Sequence, residues 1–224
     1  RGGFIVGGVM HGKQDKPSGT EASGEIISVG SKVKGYKPGD NIMGRVLGTK
    51  SGSFAEYALL KEYQIMPIPY GYTWEQAAAI PVSFLAAYDA VITYGKLSKD
   101  QTMLITSISS AIGVSALQIG KILGAKVIGT STSSQKIDQL RNIGMDFGIL
   151  TPEEDLTKKI MEFSKNGLNL IINCLGGSVF EASIDSLAFK GIIVSVGYMD
   201  GIDKASIDLR KIHAQRISVH GVSN

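Results

Sequence analysis

A run of small and polar residues, Thr106 to Gly113, has the composition of a phosphate-binding turn. It follows a short apolar stretch, Thr102 to Ile105, that is typical of a buried strand. It precedes apolar residues at helical spacing that stop at Gly124, and a second β-rich run, Lys126 to Thr130, comes next. This order predicts a βαβ unit in which the unpaired N–H groups of the helix N-terminus can hold a pyrophosphate.

The glycine content of this turn is low for a dinucleotide site. The fingerprint G-x-G-x-x-G supplies a tight turn, a close backbone approach to the phosphates, and helix–strand packing. The corresponding positions here are Ile108, Ser110 and Gly113, so only the packing glycine is present. The pattern alone leaves two alternatives open: a dinucleotide site, or an ordinary turn of an α/β domain that binds nothing.

The segment Thr130 to Lys136, at the end of the second strand, would select the coenzyme. An NAD-specific site carries Asp or Glu about 20 residues beyond the turn, whereas this segment contains hydroxyl groups and Lys136 but no acid. No carboxylate would repel a 2′-phosphate, and Ser131 and Lys136 could receive one, so the segment favours NADP(H). Lys136 can also be read as a solvated residue in the first turn of a helix capped by Ser134, and the two interpretations are compatible.

Composition and charge argue against several classes of protein. The chain has 224 residues, 43% of them hydrophobic, which is enough for one large or two small domains. It has no run of 18 apolar residues, so we expect no membrane span, and Arg1 to Gly8 lacks a credible signal peptide. A single cysteine, Cys174, excludes an internal disulfide and a Cys-rich zinc site, and fits a cytoplasmic protein. The net charge of +3 comes from scattered lysines, which gives little support for nucleic-acid binding.

Residues 1–95 and the remainder differ in pattern. Short strands separated by Gly and Pro, including Asn41–Gly44 and Gly52–Ala58, predict a small β-barrel or sandwich, and helices at Trp74–Ala79 and Val82–Tyr94 follow. From Gln101 onward strands and helices alternate. After the βαβ unit we predict helices near Ser134–Ile143, Glu153–Ser164 and Val179–Leu187, and strands at Phe147–Leu150, Leu170–Asn173, Ile192–Val196 and Ile217–Val222. Six strands with four helical connections out of five predict a doubly wound parallel sheet.

Several sequence blocks occur in an order that is typical of one family. They are Gly19-Thr20-Glu21-Ala22-Ser23-Gly24-Glu25, Val29-Gly30-Ser31-Lys32-Val33, Lys37-Pro38-Gly39-Asp40, Gly52-Ser53-Phe54-Ala55-Glu56-Tyr57, Ala77-Ala78-Ala79-Ile80-Pro81-Val82-Ser83 and Gly124-Ala125-Lys126-Val127-Ile128. From about residue 17 to its end the chain resembles the medium-chain dehydrogenase/reductase superfamily, in its zinc-independent quinone oxidoreductase-like branch. The resemblance implies a partial GroES-like β-barrel catalytic domain at residues 1–95, a Rossmann domain at residues 96–224, and an active site in the cleft between them. Because family members run longer at both ends, the chain resembles an interior portion of such a protein.

The same resemblance argues against a metal site. Zinc-dependent relatives have Gly-His-Glu where this chain has Gly19-Thr20-Glu21, and a cysteine near Ser83. A catalytic zinc needs three N, S or O ligands, and neither Thr20 nor Ser83 is a competent substitute. Cys174 falls at the end of a predicted Rossmann strand and is interpreted as a small buried hydrophobe. We therefore expect no bound metal.

The nicotinamide end of the cofactor is placed by the resemblance. In the family, backbone groups at the carboxyl ends of the later strands and the turn after the last strand line the nicotinamide. Ala86 and Thr151 stand where family members often have threonine and tyrosine, which could weaken cofactor positioning. The residues predicted to bind the cofactor are Ser109, Ser110, Ala111, Ile112, Gly113, Thr130, Ser131, Lys136, Leu175, Gly176, Gly197, Tyr198, Gly221, Val222 and Ser223.

The predicted function is zinc-independent, NADPH-dependent hydride transfer to a quinone or an α,β-unsaturated carbonyl. Thr20, Ser83 and Tyr198 are the polar candidates for catalysis. Two alternatives stay open: an NADP(H)-binding protein of the same fold that has lost turnover, and a zinc-type alcohol dehydrogenase. The resemblance and the apolar last strand also predict a homodimer, or a tetramer of such dimers. The substrate would be selected by loops at residues 7–16 and 45–52 and is not predicted further.

Overall fold

The computed structural model describes residues 18–46, 52–151 and 153–223, and the chain divides into two compact units, residues 1–82 and 83–224. Residues 83–95, which the sequence assigned to the first domain, lie in the second unit because Ala87, Ala90 and Val91 are buried in its core. The predicted functional boundary at residue 95 stays a prediction. No helix in the described ranges is long and apolar enough to span a membrane.

The first unit contains a small antiparallel sheet. Its strands are β1 (Glu21–Glu25), β2 (Asn41–Arg45) and β3 (Ile65–Pro67), paired in that order. A single 3₁₀ turn (Glu62–Gln64) precedes β3, and helix α1 (Trp74–Ala78) begins at a capping box formed by Thr73 and Gln76. The strand predicted at 52–58 is wrong: residues 53–56 form bends, the rest of the segment has no regular structure, and the third strand is β3.

The second unit is built on a six-stranded parallel sheet. Its strands are β4 (Thr102–Ile105), β5 (Lys126–Ser131), β6 (Phe147–Leu150), β7 (Leu168–Asn173), β8 (Leu187–Ser195) and β9 (Ser218–Gly221). Their spatial order is β6-β5-β4-β7-β8-β9. Counted from β4, this is the 3-2-1-4-5-6 order of the Rossmann fold. The sheet confirms the predicted fold class.

Every connection in this sheet contains a helix. The helices of the unit are α2 (Ser83–Tyr88, continued by a π-helical segment, Asp89–Tyr94), α3 (Ala111–Ile122), α4 (Ser134–Arg141), α5 (Leu156–Phe163), α6 (Gly177–Asp185) and α7 (Leu209–Gln215). The sequence missed α7, the fifth connection. α7 has only seven residues, and Ile212, which packs against the core, is only partly buried, so the helix lacks the long apolar stripe by which helices are recognised.

Alternate residues of each central strand supply two separate cores. Met103 and Ile105 of β4 pack in one cluster with Ala116 of α3, whereas Leu104 packs in the other with Ile160 of α5. This alternation follows from the two-residue period of a strand. Helices therefore cover both faces of the sheet, and the polar groups at the carboxyl ends of the strands are held on a rigid frame.

Candidate functional site

The predicted cofactor residues of the second unit lie at one edge of its sheet. They lie at the carboxyl ends of β5 and β9, in the segments that follow β4, β7, β8 and β9, or in the first turns of α3 and α4. Because all six strands are parallel, these positions share the carboxyl edge. The order reverses between β4 and β7, and ligands of open parallel sheets bind at such a switch point.

The turn after β4 is tied to the strands on both of its sides. The Thr106 N–H donates to the Ile172 carbonyl oxygen of β7 over 3.0 Å. The Ser107 N–H donates to Thr130 Oγ1 and the Ile108 N–H to the Thr130 carbonyl oxygen, each over 3.0 Å. Ser107 adopts a φ of +54°, so a non-glycine residue makes the left-handed bend of this turn. Thr130, predicted as a cofactor contact, is 1% exposed and organises the turn.

Helix α3 starts directly at this turn. Ser110 is its N-cap, and its hydroxyl oxygen accepts from the Gly113 N–H over 3.1 Å. A Cβ at Gly113 would lie 2.5 Å from the Ile108 carbonyl oxygen, so only glycine allows the helix to begin this close to the turn. The N–H groups of Ala111 and Ile112 have no partner among the described residues. The start of α3 can therefore accept an anion.

A buried polar network joins β4 to β7 at the switch point. The Thr106 hydroxyl accepts from the Cys174 N–H over 2.8 Å and donates to Asn173 Oδ1 over 3.2 Å. The Asn173 amide in turn donates to the Leu175 carbonyl oxygen over 2.5 Å. Thr106 is fully buried and Asn173 is 1% exposed. These groups connect the turn to the segment after β7.

Cys174 is buried beside the start of α3. Burial raises the pKa of its thiol to about 11, and a hydrogen bond with the Ser110 side chain acts in the opposite direction. A thiol that stays protonated is a poor nucleophile and a poor metal ligand. This agrees with the interpretation of Cys174 as a small buried residue. The Ser110 hydroxyl is thus engaged inside the protein, and the free N–H groups are left to face a ligand.

The end of β5 has hydroxyl groups and no carboxylate. Ser131 is 6% exposed, and its hydroxyl oxygen accepts from the Ser133 N–H over 3.2 Å. The N-cap of α4 is Ser133 and not Ser134, because the Ser133 hydroxyl oxygen accepts from the Lys136 N–H. The first turn of α4 contains no acidic residue, and Lys136 is exposed in it. The positive charge of Lys136, with no carboxylate in this first turn, therefore suits an anion.

The segments after β7 and β8 lie against each other. The Val196 N–H donates to the Asn173 carbonyl oxygen and the Met199 N–H to the Cys174 carbonyl oxygen, both over 2.8 Å. Gly197 and Tyr198 lie between these two bonds, with Gly197 half-buried and Tyr198 51% exposed. The Gly176 N–H donates to the Asp200 carboxylate, and the Leu175 carbonyl oxygen accepts from the Asn173 side-chain amide.

The last predicted cofactor residues lie at the edge of the sheet. Gly221 ends β9 opposite Ser195 of β8, and the Val222 N–H donates to the Ser195 carbonyl oxygen over 2.9 Å. Val222 is buried and Ser223 is exposed. Their roles stay predictions.

The three predicted catalytic residues are divided between the two units. Thr20 lies in the first unit, where its carbonyl oxygen accepts from the Val46 N–H over 2.8 Å. Ser83 is 4% exposed in the first turn of α2, and Tyr198 is exposed; both belong to the second unit. Their catalytic roles stay predictions.

Glu21, next to Thr20, is a partly buried carboxyl group. Burial raises its pKa, while a hydrogen bond from the Val82 N–H and the positive charge of Arg45 act in the opposite direction. Glu21 and Arg45 face each other on β1 and β2. The sequence motif around Glu21 thus includes a carboxylate that ties β1 to the segment after α1.

Of three polar groups at the carboxyl edge, Thr106 and Asn173 lie in segments that the sequence singled out, but they were given no role of their own, and Asp200 was missed. Thr106 and Asn173 each stand at the end of an apolar strand, a position at which a polar residue signals a site. Asp200 has no comparable signal, because its bonds depend on how two loops meet. The loops predicted to select the substrate lie outside the described residues, apart from Arg45, Val46 and Gly52.

Strand order, tight turn and free helix N-terminus define the second unit as a Rossmann-type domain of the dinucleotide-binding class. Comparison with known families gives a more specific assignment. The model of the zinc-binding dehydrogenase family matches residues 111–224, and that of the alcohol dehydrogenase GroES-like domain matches residues 4–70. The chain belongs to the medium-chain dehydrogenase/reductase superfamily.

Individual relatives fit this assignment. The quinone oxidoreductase-like protein 2 homolog of Nematostella vectensis is 34% identical over 195 residues, which are 84% of this chain and 53% of the relative. The spectinabilin polyketide synthase system protein NorB of Streptomyces orinoci is 32% identical over 189 residues, 84% of this chain and 8% of the relative. The crystal structure of a Pseudomonas syringae quinone oxidoreductase superimposes on this chain with a TM-score of 0.79 at 27% identity. The superposition covers 93% of this chain and 63% of the quinone oxidoreductase chain. The chain thus spans about half the length of the first relative.

One of the two matching families is described as zinc-binding. The described residues contain no group of three or more His, Cys, Asp or Glu side chains that could hold a metal ion. Thr20 and Ser83, the positions at which the resemblance implies ligands in zinc-dependent relatives, cannot supply N, S or carboxylate ligands. The absence of zinc from the active protein stays a prediction.

Proposed function

We propose that this chain is the cofactor-binding part of a zinc-independent, NADPH-dependent oxidoreductase that transfers hydride to a quinone or an α,β-unsaturated carbonyl. Membership of an oxidoreductase superfamily supports the reaction class. The observation that carries the choice of NADPH is the end of β5, where Ser131 and Lys136 occur without a carboxylate.

The residues present fit such a cofactor. The free N–H groups of Ala111 and Ile112 would bind the pyrophosphate at the start of α3. Ser131 and Lys136 would bind the 2′-phosphate, and the segments after β7 and β8 would line the nicotinamide. In this assignment the Ser110 hydroxyl caps α3 and holds the phosphate turn in place.

The cofactor, when bound, supplies the hydride. The protein orients the nicotinamide and the acceptor and excludes water from them. Thr20, Ser83 and Tyr198 remain the candidates for orienting the acceptor or for donating a proton to the reduced product. The names of the quinone oxidoreductase relatives favour a quinone acceptor.

A homodimer is part of the proposal. β9 lies at one edge of the six-stranded sheet, and Val219 in it is 45% exposed. An exposed, partly apolar edge strand is a surface that can pair with a second copy of the chain.

Coenzyme preference tests the proposal. Wild type should bind NADPH about tenfold more tightly than NADH, because a charge-assisted hydrogen bond contributes roughly 1.5–3 kcal/mol and about 1.4 kcal/mol is a factor of ten. We take the lower end because Lys136 is exposed and screened by salt. Lys136→Ala should remove most of the preference and leave NADH affinity nearly unchanged. Fluorescence titration with both coenzymes measures these constants.

The matched control is Lys126→Ala. Lys126 is also exposed but begins β5, so it lies at the amino edge of the sheet. The control should retain the preference, which separates a local contact from a general loss of charge. Equal affinities for the two coenzymes in wild type would refute the assignment of Lys136.

A measurement of NADPH oxidation distinguishes the proposed enzyme from a protein that only binds the cofactor. NADPH oxidation should be seen with at least one member of a panel of quinones and enones. Tight NADPH binding without oxidation by any of them would favour the non-catalytic alternative. Stoichiometric zinc in the active protein would favour the alcohol dehydrogenase alternative.

A further inference from the structure

The segment after β8 is fastened to the segment after β7 by backbone bonds on both sides of Gly197 and Tyr198. Val196 bonds to Asn173 before them, and Met199 bonds to Cys174 after them. Further along, the Gly177 N–H donates to the Lys204 carbonyl oxygen over 3.2 Å. Gly197 and Tyr198 therefore belong to a loop whose two ends are fixed.

The backbones of the two segments lie close together at Gly176 and Ile202. A Cβ added at Gly176 would overlap the Ile202 carbonyl oxygen, and Gly177 adopts a φ of +51°. The contact with the loop after β8 thus leaves no room for a side chain at Gly176, while at Gly177 the positive φ favours glycine. The contact is specific in shape and not only a meeting of exposed loops.

Asp200 is the side chain that bridges this contact. Its Oδ1 accepts from the Gly176 N–H over 3.1 Å and from the Ile202 N–H over 3.2 Å, and its Oδ2 also accepts from Gly176 over 3.1 Å. Gly176 is the N-cap residue of α6 and has no side chain with which to cap the helix. The Asp200 carboxylate accepts from the N–H of this N-cap residue itself, and the helix dipole favours a negative charge at that end.

We propose that Asp200 is a positioning residue for the nicotinamide half of the cofactor. By joining Gly176 to Ile202, it holds the loop that carries Gly197 and Tyr198 in one conformation before the ligand arrives. A preformed surface lowers the entropic cost of binding. This inference rests on the proposed function, since it assumes that NADPH occupies the carboxyl edge of the sheet.

The binding of two different ligands can report separately on the two halves of the proposed cofactor site. NADPH reaches both halves, whereas adenosine 2′,5′-bisphosphate has no nicotinamide and reports only on the end near β5. Asp200→Ala should raise the Kd of NADPH about tenfold, or about 1.4 kcal/mol. The same variant should leave the Kd of the bisphosphate within about twofold, which is below 0.5 kcal/mol on the same scale.

Two further variants show whether the hydrogen bonds themselves matter. Asp200→Asn should stay close to wild type, because a single amide oxygen can replace Oδ1 and accept from both N–H groups. Asp203→Ala is the matched control, because Asp203 is an exposed carboxylate of the same loop without a hydrogen bond among the described residues. It should change neither Kd. Circular dichroism of each variant verifies that it is folded.

The outcomes can be told apart. Equal weakening of both ligands by Asp200→Ala would show a general structural role and overturn the proposal, and so would an unchanged NADPH Kd. Binding of neither ligand to wild type would instead refute the proposed function itself. Selective loss of NADPH with rescue by Asp200→Asn supports the positioning role.

Discussion

Replacing Thr106 by valine removes one hydroxyl group from the centre of the second unit. Valine has nearly the same shape as threonine, so packing changes little. The Cys174 N–H and Asn173 Oδ1 both lose a buried partner, and Asn173 is itself buried. The variant therefore tests whether the network between β4 and β7 stabilises the fold.

The expected cost follows from these two bonds. A buried polar group left without a partner costs about 1–3 kcal/mol, and the backbone N–H of Cys174 has no alternative acceptor in the network. Asn173 Oδ1 adds a smaller cost. We expect Thr106→Val to lower the free energy of unfolding by about 1–3 kcal/mol, because the roughly 1 kcal/mol regained by burying a methyl group offsets the cost at Asn173.

Thr106→Ser is the matched control, because it keeps the hydroxyl and removes only the methyl group. It should lower the free energy of unfolding by about 1 kcal/mol. Denaturation followed by far-ultraviolet circular dichroism measures both values and reports mainly the second unit, which holds helices α2 to α7. If the serine variant is the less stable of the two, the reasoning from hydrogen bonds is wrong.

Two more predictions concern the thiol and the assembly. Cys174 is the only cysteine of the chain, and its pKa of about 11 predicts a very small thiolate fraction at neutral pH. A disulfide reagent should therefore label the folded protein slowly and the unfolded protein at once. Rapid labelling of the folded protein would contradict the burial of Cys174. The chain should sediment as a dimer at micromolar concentration, whereas a monomer would count against pairing through β9.

Elements with a strong apolar signal could be predicted from the sequence. β6 has the predicted bounds, and β4 does too, because both are short apolar runs covered by helices on the two faces of the sheet. β3 could not be found, since it contains Pro67 and exists through its pairing with β2. The exposed Phe54 and Tyr57 gave the segment at 52–58 a strand-like pattern although it has no strand partner among the described residues.

The site could be predicted only as far as it depends on order along the chain. Strand ends follow from the strands, so the segments at the carboxyl edge could be named before the fold was known. Hydrogen bonds such as those of Asp200 depend on which loops meet, and no local pattern encodes that. The same holds for Thr106 and Cys174, which are joined across two strands that are distant in sequence.

The turn after β4 shows why its glycine pattern is misleading. Ile108 stands at the first glycine position and is fully buried; the space for it exists because Gly129 of β5 has no side chain, and a Cβ there would lie 2.7 Å from Ile108 Cγ2. Ser107 supplies the left-handed bend, and Ser110 at the second glycine position caps α3 without blocking the N–H groups of the residues that follow. Gly113 retains the helix packing that no other residue allows. The tight turn, the unpaired N–H groups and the helix packing are thus present with only one of the three glycines of the fingerprint.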